Sequence, residues 1–144
     1  MNTQHLGGIL RRPPDRASGQ LLTRIPILLS LLLVAAASPA APLENKWRLQ
    51  FSGNAESSGE LVLAFTPKGG AATEVRVEVE HRTSENGVAR RVRGALREAI
   101  GEDYRIEIDD GEDVLVKRRW GRPRFNVSLV SNSVEGVRLN LDQE

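Results

Sequence analysis

The chain has 144 residues, with 20 lysines and arginines, 19 acids, two histidines, no cysteine and a formal net charge of +1. Without cysteine there is no disulfide, no thiol nucleophile and no lipid-bearing cysteine, and beyond residue 40 the single histidine, His81, cannot supply the several His or Cys ligands that zinc sites usually recruit. The near-neutral balance also excludes the globally basic character of many nucleic-acid proteins.

Met1 to Arg24 is polar and carries Arg11, Arg12, Arg16 and Arg24 against one acid, Asp15. An apolar run from Ile25 to Ala37 follows, broken only by Pro26 and Ser30, and gives way to Ser38-Pro39-Ala40-Ala41. A positive segment, an apolar stretch and small residues before the Ala40/Ala41 bond are the parts of a cleavable signal peptide. The stretch is about 13 residues long, short of the roughly 20 that a spanning helix needs. Residues 1–40 are therefore expected to direct export and to be removed, with membrane contact only during export and the rest in the bacterial periplasm or secreted. Pro13 and Pro14, directly after Arg11-Arg12, argue for the general export route over a twin-arginine signal. The remaining chain holds 16 bases and 18 acids, a net charge of −2, so no nucleic-acid partner is expected.

Residues 41–46 read as a short tether and 47–144 as a single domain with a modest core. Trp47, Leu49 and Phe51 alternate with Arg48, Gln50 and Ser52, the period of a half-buried strand. Glu60 to Thr66 places Leu61, Leu63 and Phe65 against Val62 and Ala64, a strand covered on both faces. From Thr73 to Glu80, Val75, Val77 and Val79 form a dry face opposite Glu74, Arg76, Glu78 and Glu80. A helix then starts at a cap on Thr83 or Ser84, with Val88, Val92, Ala95, Leu96, Ala99 and Ile100 on one stripe at 3.6 residues per turn. Gly101 is expected to stop it in a left-handed conformation. Gly94 in its interior costs about 1 kcal/mol relative to alanine, so the helix depends on packing.

Alternation resumes with Tyr104, Ile106 and Ile108, turns at Asp109-Asp110-Gly111-Glu112 and returns along Asp113 to Arg119. Arg124 to Val130 and Val134 to Leu141 are expected to form a last hairpin through Ser131-Asn132-Ser133, with a bulge at Gly136. The fold class is α+β: a curled, mostly antiparallel sheet of about seven strands, in the order βββαββββ, packed on one amphipathic helix. One helix cannot cover seven strands. The sheet is expected to curl around it, close on itself, or bury its remaining face against a second copy or a partner.

Few chemistries find support. His81 is the sole histidine after cleavage and no G-x-S-x-G accompanies any serine, so it reads as a surface residue at a strand end. The acidic run Asp109 to Asp113 reads as a hairpin turn, since it lacks the alternating spacing of a calcium loop. No phosphate-cradling glycine motif occurs, and no cofactor or metal is expected. The remaining feature is Lys117, Arg118, Arg119, Trp120, Arg122 and Arg124, five bases around an indole on a connection stiffened by Pro123. Such a loop presents cations and a stacking surface to an anion. The alternative is that its arginines pair with glutamates while Trp120 covers one end of the core. Three functional readings follow in order: a non-enzymatic envelope module that meets a protein partner or a homodimer through its sheet face or edge; an anionic-ligand module using Lys117 to Arg124; and a small hydrolase with a carboxylate pair.

Overall fold

The computed structural model describes residues 42–144, and the signal-peptide reading of residues 1–40 lies outside them. The elements follow the expected order: β1 (Lys46–Ser52), β2 (Gly59–Pro67), β3 (Thr73–Val79), α1 (Glu85–Ile100), β4 (Tyr104–Asp109), β5 (Asp113–Arg118), β6 (Phe125–Asn132) and β7 (Arg138–Gln143). The fold is α+β and every strand pair is antiparallel. The strands divide into two sheets, β3-β2-β6 and β4-β5-β1-β7, and neither closes.

Alternation fixes which side of each strand is dry. Trp47, Leu49 and Phe51 are buried on β1, and Val75, Val77 and Val79 on β3. Register aligns these faces, with Leu63 opposite both Val75 and Leu129, and Leu49 opposite both Val114 and Leu141. The inner faces of both sheets and the helix share one core. The second sheet thus covers much of the apolar surface that one helix leaves bare. At one corner the sheets are tied by a bridge between Glu44, in the expected tether, and Phe125.

The helix is built as its sequence requires. The Ser84 hydroxyl accepts the Gly87 N–H at 3.3 Å, and Glu85 in the first turn accepts the Gly53 N–H at 3.1 Å. Val88, Ala89, Val92, Leu96 and Ile100 are buried, and α1 packs on β3 of one sheet and on β4, β5 and β1 of the other. Complete burial of a leucine such as Leu96 contributes about 1.5–3 kcal/mol. Two expectations fail here. Ala99 is exposed, because the stripe runs through Ala89 instead. Gly101 is right-handed at φ −66°, with its N–H still bonded to the Arg97 carbonyl, and a short turn closes through the Asp103 N–H on the Ile100 carbonyl.

The turn between β4 and β5 has positive φ at Asp110 and Gly111, as expected of a tight right-twisting hairpin. The last two strands do not form a hairpin. β6 pairs with β2 and β7 with β1, so the chain changes sheets between Asn132 and Arg138. Asn132 directs the crossing, because its side-chain amide donates to the Val137 carbonyl and accepts the Val134 N–H, both at 2.9 Å. Val134 and Val137 are buried, so two core anchors bracket the crossing. Gly136 is no bulge within a strand; it has φ +83°, and a Cβ there would lie 2.3 Å from the Asn54 carbonyl oxygen. The irregular pairing falls instead where Val62 and Leu63 meet Ser131 and Leu129, which leaves Val130 as the extra residue.

Candidate functional site

The basic loop leaves β5 at Arg118 and enters β6 at Phe125. The Arg122 N–H donates to the Arg119 carbonyl at 3.2 Å, and Gly121 has φ +79° at the third position of that turn, where a type II turn needs glycine. Its exit is pinned: Tyr104 Oη donates to the Pro123 carbonyl at 3.2 Å, the Lys68 N–H to the Arg124 carbonyl at 2.7 Å, and Trp47 Nε1 to the Phe125 carbonyl at 3.0 Å.

Trp120 sits at the second position of the turn and is 100% exposed. It does not cover the end of the core. That end is already filled by Phe65, Tyr104 and Phe125, whose ring centroids lie 4.5–4.9 Å apart.

The five cations divide by partner. Lys117 is bound to Glu107 at 2.6 Å and Arg122 to Asp103 at 2.7 Å. The Arg118 guanidinium donates to the Arg122 carbonyl at 3.2 Å, and that of Arg119 to the Gly101 carbonyl at 3.3 Å. Arg124 makes no ion pair with a described residue, so Arg118, Arg119 and Arg124 have no carboxylate partner among the described residues.

Arg122 and Arg119 line two concavities of opposite character. One, of about 600 Å³, lies at the end of α1 over Phe65 and Tyr104, where Glu98, Glu102 and Asp103 outnumber Arg122. The other is a notch of about 250 Å³ lined by Arg97, Arg105 and Arg119 against a single acid, Glu107, with Tyr104 and Ile106 beneath. Arg105 is a functional candidate that composition alone did not bring forward. Its signal was the Asp110-Gly111 hairpin, whose register sets Arg105 opposite Lys117.

A second charged cluster crosses the outer face of the four-stranded sheet. Arg48 on β1 bonds Asp113 at 2.8 Å, Asp109 at 3.0 Å and Glu144 at 2.7 Å, and Lys46 also pairs with Glu144. Hydrogen bonds to Asp113 and then Glu144 hold the Arg48 guanidinium well above its ordinary pKa. Glu144 is held below the usual glutamate value by Lys46 first and then Arg48, and Glu107 by Lys117. Two carboxylates of the acidic turn therefore converge on an arginine. Among the described residues no three acids or imidazoles converge as metal ligands, and His81 is exposed, with its backbone N–H on the Ser58 hydroxyl. Among the same residues no helix is long and apolar enough to cross a membrane.

No protein-family model matches this chain, and a search of curated proteins returns no match to it.

Proposed function

We propose that this chain is an exported, non-enzymatic binding module that takes an anionic ligand on the loop Lys117 to Arg124. The observation that carries the reading is Trp120, wholly exposed on a pinned turn beside three arginines without carboxylate partners among the described residues. An exposed indole gains by stacking on a ring or entering an interface, and guanidiniums bind oxyanions in bidentate geometry. Periplasmic or secreted placement rests on residues 1–40.

A second reading is a protein partner or a second copy added at β6. It is favoured by Leu129 and Val130, 38% and 53% exposed on a strand that pairs only with β2 along most of its length.

Retention on heparin, with Arg118, Arg119, Arg122 and Arg124 replaced by serine, tests the first reading. The wild type is expected to be retained with steep salt dependence, since screened Coulomb attraction drives the contact. The variant is expected to lose retention and keep its melting temperature within a few degrees, because exposed charges contribute little to stability. Equal retention of variant and wild type would refute the loop, and sedimentation as a dimer would then favour β6.

A further inference from the structure

Resting on the anion-binding reading and narrowing it to one chemical group, we propose that the notch between α1, β4 and the turn after β5 is a subsite for a phosphoryl group. Three arginines line it from three separate elements: Arg97 from the last turn of the helix, Arg105 from β4 and Arg119 from the loop. Each has a different backbone support, so their convergence is a property of the fold and not of one basic run. The space, about 250 Å³, is roughly eight times the liquid volume of a water molecule. It accommodates a tetrahedral oxyanion with part of its hydration shell.

The charge balance favours an anion. Glu107 is the one acid in the lining, and it is already bonded by Arg105 at 2.5 Å and Lys117 at 2.6 Å. Arg97 has no carboxylate partner among the described residues, and Arg119 spends one N–H on the Gly101 carbonyl. That bond matters for the field, because the C-terminal end of α1 carries partial negative charge and Arg119 caps it. Each guanidinium has five donors in a planar fork, so three of them can satisfy several oxygens of one phosphoryl group at once. The neighbouring groove repels the same ligand through Glu98, Glu102 and Asp103. A phosphoryl group seated in the notch lies beside the turn that carries Trp120, which leaves the indole for the moiety the phosphate is attached to. That moiety is a lipid headgroup or a soluble phosphorylated compound.

The test uses two variants and two probes. Arg97→Gln with Arg105→Gln disarms the notch without touching the loop, and Arg118→Ser with Arg124→Ser weakens the loop without touching the notch. Inorganic phosphate is titrated into the isotope-labelled protein, and co-sedimentation is measured with phosphatidylglycerol vesicles and with phosphatidylcholine vesicles. Phosphate is expected to shift the amide signals of Gly101, Arg105 and Arg119 in the wild type and in the loop variant. In the notch variant its affinity is expected to fall at least about tenfold, the scale of losing charge-assisted hydrogen bonds. Wild-type co-sedimentation with phosphatidylglycerol but not phosphatidylcholine, lost in the notch variant, identifies a headgroup as the source. Phosphate binding without vesicle binding identifies a soluble phosphorylated compound. Undiminished phosphate affinity in the notch variant, or no shift at these amides in the wild type, overturns the subsite. If heparin retention still falls in the loop variant, the broader reading survives that result; if retention is unchanged there too, both fall.

Discussion

Leu96→Ala probes the seat of the helix between the two sheets. Leu96 is fully buried at the centre of the stripe formed by Val88, Val92 and Ile100. Truncation removes its transfer free energy and leaves a cavity, together about 3 kcal/mol for a leucine in a closely packed site. A domain of this size has roughly 5–15 kcal/mol of stability in all, so the loss is a large share of it. At about 4–8 °C per kcal/mol the melting temperature falls by about 12–24 °C. With a urea slope near 2 kcal/mol per molar, the unfolding midpoint drops by about 1.5 M. Circular dichroism in urea and on heating measures both. Arg90→Ala, on the exposed side of the same helix, is the control and shifts stability by no more than about 0.5 kcal/mol. Leu96→Asp buries a charge without a partner and leaves the domain largely unfolded. If Leu96→Ala and Arg90→Ala melt together, the stripe does not carry the packing and the reasoning fails.

Two glycines separate propensity from conformation. Gly94→Ala, whose new Cβ meets nothing within 4 Å, is expected to raise the urea midpoint by the equivalent of about 0.5–1 kcal/mol, whereas Gly136→Ala, strained at φ +83° and set against the Asn54 carbonyl, lowers it by more than about 1 kcal/mol; a reversal of order refutes the backbone assignment. Tyr104 is the single tyrosine, so phenolate absorbance reports it alone. Burial, then the charge of Asp103, raises its pKa above the ordinary 10.0, and Arg122 opposes them. A raised folded value means that this contribution to stability is fully present below pH 10.0 and is lost as pH rises through the folded pKa. Arg122→Ser is expected to move the absorbance midpoint further up, and an unchanged midpoint shows that Arg122 does not act on the ring.

Local patterns in the sequence carried the elements, and distant pairings escaped it. Trp47, Leu49 and Phe51 announce a half-buried strand because the period of two is set within six residues, and the helix stripe follows from the same kind of local geometry. The separation into two sheets depends on which strand β1 chooses, and its partners lie far along the chain. Adjacent strands usually pair, so β6 and β7 read as a hairpin. Asn132 defeats that expectation by bonding to Val134 and Val137, a use of its amide that Ser131-Asn132-Ser133 does not distinguish from an ordinary turn. At the site, composition exposes the bases around Trp120 but not the meeting of Arg119 with Arg97, which needs the docked position of α1. Whether an indole in a basic turn covers a core or stands clear depends on how full the core end is, and here Phe65, Tyr104 and Phe125 occupy it.

The pairing of β1 has a kinetic consequence. Its bonds reach partners 65 residues away at Asp113, 90 at Asn140 and 96 at Glu144. Each requires closing a long loop before any contact repays the entropy, so topology of this kind folds more slowly than a helical bundle of similar length. β1 stays without its neighbours until β5 and then β7 emerge. A polypeptide so wired completes its four-stranded sheet only once β7 is available, which suits the threading through a narrow pore that the proposed export demands.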